Sequence, residues 1–191
     1  MDLGTAVASS WSSGISMYLV FSVLGIGGRL DWVDSPAFLE KPWVIAFAFA
    51  LFVVELIVDK ISYIDSTWDA VHTFLRPLAG ALLLSSSDVS TSTVLLALAG
   101  GGLALSAHGA KASTRLLVNA SPEPASNFVV SLMEDGLVAA LMTLALTYPE
   151  LAAAIALVLT IVSVIVIYFV VRSARIVLAR RRDRRRKQEE L

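Results

Sequence analysis

The 191-residue chain is 57% hydrophobic and only 16% charged, with a mean hydropathy of +0.76, which excludes an ordinary soluble domain and marks a polytopic membrane protein. It has no cysteine, so disulfides, thiol catalysis and thiolate metal sites are excluded, and its two histidines fall on different predicted helices, too few for a multi-imidazole zinc site. The formal charge of −1 hides a division: from Arg172 onward there are nine basic and three acidic residues, leaving six basic against thirteen acidic in the body.

Apolar stretches of about 20 residues are long enough to cross roughly 30 Å of hydrocarbon as helices. In chain order the expected spans are Thr5 to Gly28, Pro42 to Val58, Thr67 to Leu84, Thr93 to Ala110, Ala125 to Thr147 and Glu150 to Val171. The fold class is therefore all-α: a polytopic membrane helix bundle of about six transmembrane helices. Residues 1–171 form the membrane domain and residues 172–191 a basic tail. The first span has Asp2 where a secretory signal carries basic residues, and it is expected to stay in the mature protein. It contributes the small-residue run "SSGIS" for close helix contact, as "AGGGLALSA" does in the fourth span.

The second span ends with Glu55 and Asp59 at i and i+4. The third is the most polar: Asp65, Asp69, His72 and Arg76 fall at i, i+4, i+7 and i+11, one face of a helix. Pro77 follows Arg76 and is expected to kink or break that helix, freeing a carbonyl beside the charges. His108, Lys111, Arg115 and Asn119 make a second stripe on the fourth span. Glu123, Asn127, Ser131 and Glu134, with Asp135 beside them, make a third on the fifth. A shift of 58 positions sets Asp65 on Glu123, Asp69 on Asn127, Thr73 on Ser131 and Arg76 on Glu134, the pattern of a possible internal parallel repeat. Trp32, Trp43, Tyr63 and Trp68 are most simply interfacial belt residues.

Short loops rich in Lys and Arg face the cytoplasm, so the basic tail places the C-terminus there, and counting back through six spans places the N-terminus there as well. A basic run directly after a membrane span suits anionic lipid headgroups better than nucleic acid. By depth, Arg76 and Glu134 lie near the bilayer midplane, where a charge must face protein or water, so Arg76 is expected to meet Glu134 or Asp135.

Three stretches, "VDKISYIDSTWDAVHTFLRPLAGALL", "AHGAKASTR" and "VNASPEPASNFVVSLMED", together resemble the bacterial inner-membrane family labelled domain of unknown function (DUF) 4126. The likeness spans about Gly14 to Pro149. Ser62 stands where that pattern has proline. The resemblance implies a compact multi-span protein of the bacterial inner membrane and brings no activity with it. Glu55, Asp59 and Lys60 are also similar to the Glu-x-Gly-Asp-Lys-Thr motif of membrane cation exchangers, but the spacing differs and the glycine and threonine are absent, so that site is not carried over.

Seven acidic residues (Glu55, Asp59, Asp65, Asp69, Glu123, Glu134, Asp135) and four basic ones (Lys60, Arg76, Lys111, Arg115) converge on one half of the bundle, an excess that favours a cation or proton. The expected function is a small transporter or channel with a cytoplasm-facing polar cavity. Glu55, Asp59, Asp65, Asp69, Arg76, Asn127, Glu134 and Asp135 are its ion- or substrate-binding candidates. His72, His108, Lys111, Arg115, Asn119 and Glu123 support them. The alternative is a non-transporting protein for lipid handling or complex assembly, with structural ion pairs. An enzyme is not expected, since no nucleophile has an adjacent base. No cofactor is expected, and a metal and a homo-oligomer are left open.

Overall fold

A computed structural model describes the backbone of residues 1–59, 62–119 and 124–189, and the side chains of 1–59, 67–118 and 128–176. The described residues form six helices and no strand: α1 (Leu3–Arg29), α2 (Pro42–Val58), α3 (Ser62–Ser85), α4 (Thr93–Asn119), α5 (Pro124–Thr147) and α6 (Pro149–Glu189). Their starts are chemically marked. The Asp2 carboxylate accepts the Thr5 N–H at 2.8 Å as an N-cap, and Pro42, Pro124 and Pro149 occupy first helical positions, where a missing N–H costs nothing. Four helices (α1, α4, α5 and α6) are long and apolar enough to cross a membrane, and α2 is a shorter apolar helix. The molecule is a membrane protein built as a helical bundle.

The path of α1 departs from a straight span. As one rod its 27 residues would be about 40 Å long. Yet both of its ends meet the same end of α5. The Thr5 hydroxyl donates to the Ala145 carbonyl at 3.1 Å, and a Cβ on Gly4 would lie 2.5 Å from the Pro149 carbonyl. At the other end, Gly27 lies against Leu146, and Gly25 packs on Leu39 and Ile45 at the start of α2. The chain folds back at Ser16, whose torsions (φ −144°, ψ 89°) leave the helical region. Thus α1 is a re-entrant hairpin of two half-helices with its tip at Ile15 and Ser16.

This path corrects the expected topology. The Met1 ammonium pairs with Asp88 at 3.1 Å, so the N-terminus lies beside the α3–α4 connection, at the end where α6 begins. The C-terminal end of α6 points the other way, and the termini lie at opposite ends of the bundle. Counting α1 as a crossing had put them on one side.

The hairpin occupies the centre and is largely buried, whereas α6 presents mostly exposed apolar side chains of the kind lipid covers. Non-helical backbone at membrane depth is tolerated only when buried in protein, and the Ser16 turn satisfies that condition with every side chain from Ser12 to Met17 buried. Small residues bring α3 and α4 together: a Cβ on Gly80 would lie 2.5 Å from the Gly100 carbonyl oxygen, and the Ser10 hydroxyl donates to the Gly80 carbonyl at 3.0 Å. Pro77 does not end α3, which runs on through it to Ser85. Proline removes one ladder hydrogen bond, a loss that packed membrane helices absorb, and the interrupted helix is α1 instead.

Candidate functional site

Two buried ion-pair clusters flank the α1 tip. In the first, Arg76 is fully buried; its Nη2 donates to Glu55 Oε1 at 2.8 Å and its Nη1 to Asp69 Oδ1 at 3.0 Å. Nη1 also donates to His108 Nδ1 at 2.8 Å. A guanidinium only donates, so His108 is the neutral tautomer with its proton on Nε2, which reaches the Thr73 hydroxyl at 2.9 Å. His72 completes this side. Its Nδ1–H donates to the Trp68 carbonyl at 2.7 Å, and its Nε2 and the Tyr18 hydroxyl share a hydrogen bond of 3.0 Å. Trp68 stacks on the His72 ring at 4.5 Å, so it belongs to this cluster rather than to an interfacial belt, while Trp32 and Trp43 are exposed.

In the second cluster, Lys111 Nζ donates to Asp59 Oδ2 at 2.7 Å and to the Ile15 carbonyl at 3.3 Å. Arg115 donates to the Asp59 carbonyl at 2.8 Å and through Nη2 to Glu134 Oε2 at 2.7 Å. The clusters meet at the hairpin tip, because the Ser16 hydroxyl donates to Glu55 Oε2 at 2.6 Å while the preceding residue's carbonyl takes Lys111.

The expected pairing of Arg76 with Glu134 or Asp135 is therefore corrected: Arg76 binds Glu55 and Asp69, and Glu134 binds Arg115. The cause is the lean of helical side chains toward their own N-terminus. α2 and α3 start at opposite ends of the bundle, so Glu55 and Arg76 lean toward each other from different levels. Arg115 and Glu134 do the same on α4 and α5. Depths counted at Cα positions miss this. The two hairpins thus carry the same device with the signs exchanged, acid then base in the first and base then acid in the second.

Asp135 stands apart. It is 8% exposed, forms no ion pair among the described residues, and its Oδ2 has no hydrogen-bond partner there. The described carboxylates at the site, Glu55, Asp59, Asp69, Glu134 and Asp135, outnumber Arg76, Lys111 and Arg115. A cavity of about 160 Å³ borders the second cluster, lined by Lys111 and Glu134 together with Trp11, Thr114 and Ser163. No group of three His, Asp or Glu side chains among the described residues is placed to hold a metal ion. The side chains of Asp65, Asn119, Glu123 and Asn127 lie outside the described residues, as does Lys60.

Ile15, Ser16 and Tyr18 were not expected at the site. Their signal was the run "SSWSSGIS", five serines in eight residues of an apolar segment, all of them buried.

Residues 3–169 match the family model described as "Domain of unknown function (DUF4126)", and the chain belongs to that family. No curated protein and no solved structure matches it.

Proposed function

We propose that this protein is a small transporter or channel for a cation, with the proton as the species its site suits best. The observation that carries the reading is the interruption of α1 at Ser16, buried between two ion-pair clusters that each bond one residue of the tip. Interrupted membrane helices that offer backbone carbonyls and carboxylates at mid-depth are a recurring device for moving cations and protons. The ion-paired groups are largely buried and hydrogen-bonded to one another, which suits a proton passed between them better than an ion that keeps its water. Asp135, buried and in no ion pair among the described residues, is the residue assigned to take it up.

The proposed setting is the bacterial inner membrane, with the basic end of α6 in the cytoplasm and the N-terminus opposite. Since the chain has no cysteine, single cysteines at Ser86, Pro149 and Gln188 test this directly: the first two label from outside and the third does not.

In proteoliposomes loaded with a pH-sensitive dye, an imposed potential drives proton uptake by the wild type, and Asp135→Asn and Glu134→Gln each abolish it. Asp135→Asn keeps its melting temperature, because no ion pair is lost. A second reading, a non-transporting protein for lipid handling or complex assembly, is favoured by the full burial of the ion pairs that Arg76 forms with Glu55 and Asp69. It takes over if correctly inserted wild type moves neither protons nor any of a panel of monovalent and divalent cations above empty vesicles.

A further inference from the structure

Where α1 ends and α2 begins, at the end of the bundle opposite the basic tail, an apolar groove of about 450 Å³ lies between the two helices. Ile26 and Leu30 line it from α1, and Ile45 and Phe49 from α2. The exposed Trp32 and Trp43 set this level at the membrane surface, where lipid covers an outward-facing groove.

The rim is charged in two halves. Arg29 borders the groove itself, together with Pro42 in the first turn of α2, a helix start that no side chain caps and that Lys41 precedes. A cationic side chain beside an uncapped helix N-terminus attracts an anion. The Arg29 guanidinium donates to the Glu40 carbonyl at 3.3 Å, and Glu40 also lines a second, polar hollow of about 390 Å³ with Asp31, Asp34 and Ser35. Gly28 lets that hollow close on α1: a Cβ there would lie 2.7 Å from Glu40 Oε1, which accepts the Ser35 hydroxyl at 3.0 Å. Among the described residues neither Arg29 nor any of these three carboxylates is in an ion pair. The hollow offers acceptors, which suit a group that brings N–H donors. One indole, Trp32, also borders it, too little for the aromatic cage that a quaternary ammonium takes.

We propose that the groove and its rim bind one phospholipid whose headgroup carries a primary ammonium. An acyl chain lies along Ile26 and Phe49, the phosphate sits at Arg29 and the start of α2, and the ammonium enters the hollow of Asp31, Asp34 and Glu40. An anionic headgroup without the ammonium meets the carboxylates unpaired, and a quaternary one has no N–H to donate to them. The site lies in the leaflet opposite the basic tail and stands whichever reading of the function holds.

The test is native mass spectrometry of the full chain, delipidated in detergent and titrated with phosphatidylethanolamine, phosphatidylcholine and phosphatidylglycerol of identical acyl chains. The wild type binds one phosphatidylethanolamine about tenfold more tightly than either other lipid. Asp34→Asn combined with Glu40→Gln brings the three affinities to within about twofold of one another. Arg29→Met weakens all three lipids alike, because the phosphate is common to them. Asp34→Asn alone, at an exposed side chain, is the second variant should the double variant fail to fold, and it cuts the preference to about threefold. Equal affinity of the wild type for the three lipids marks ordinary boundary lipid and overturns the proposal. Tightest binding of phosphatidylcholine or phosphatidylglycerol, a preference untouched by the Asp34 and Glu40 exchanges, or full affinity in Arg29→Met overturns it as well.

Discussion

The two clusters contain the same kinds of group and differ in their surroundings. Around Arg76 every bond is enclosed: Glu55 and Arg76 are essentially unexposed, and His72 and His108 with Trp68, Thr73 and Tyr18 close the shell. Around Lys111 the ion pairs border a cavity, and Glu134 retains 14% of its side-chain surface. Breaking a buried ion pair is costly because the remaining charge is left uncompensated, and that cost falls where water can enter. The first cluster is therefore a clasp that fixes helix positions, and the second is where a charge can move.

Arg76→Ala should do the greatest damage, about 3–5 kcal/mol of stability, since it leaves Glu55 and Asp69 buried without a counter-charge. Chemical unfolding in micelles measures it, and a loss under 1 kcal/mol would remove the clasp from the account. The Gly14→Ala exchange tests whether the hairpin tip holds the clusters apart, because its Cβ would run into the Ala104 carbonyl oxygen on α4. A shift of packed backbone on that scale costs about 2 kcal/mol, whereas Gly102→Ala, with no atom within 4 Å, is expected to be neutral in the same assay. Glu134→Gln should cost only about 1.5 kcal/mol, with the cavity supplying water to Arg115. Equal losses for Glu134→Gln and Arg76→Ala would erase the difference between the clusters. The smallest effect, about 1 kcal/mol, is expected for Ser16→Ala, which removes the 2.6 Å hydrogen bond to Glu55 and leaves the ion pairs in place.

Much of this was legible in the sequence, for reasons that also set the limits. Hydrophobic length revealed five elements and placed Pro42 and Thr93 at their starts, and the 3.6 period put Asp69, His72 and Arg76 on one face. Which charges pair was not legible, since that depends on the direction each side chain leans and hence on the relative run of helices far apart in sequence. The turn at Ser16 was hidden for another reason. Composition reports that a segment is apolar and long, and α1 is both, but a helix that enters and returns has the same composition as one that crosses. Only the density of serines distinguished it, because hydroxyls at that frequency are costly against lipid and are buried in protein here. The side chain of Asp65, Lys60 and the side chain of Glu123 lie outside the described residues, and the sign-exchanged pairs Glu55–Arg76 and Arg115–Glu134 do not follow the 58-residue shift, which sets Glu55 on Ser113.

The re-entrant hairpin has a consequence for biogenesis. Leu3–Arg29 leaves the ribosome before α2–α6, and the partners of Thr5, Ser10 and Ser16 are Ala145, Gly80 and Glu55, all translated later. Until they arrive, the hairpin has nothing to bond in lipid, and an insertion apparatus that reads its hydropathy alone would thread it across as a span. The hairpin therefore reaches its final bonding only after α3 and α5 have been made, so that its seating follows its synthesis by most of the chain.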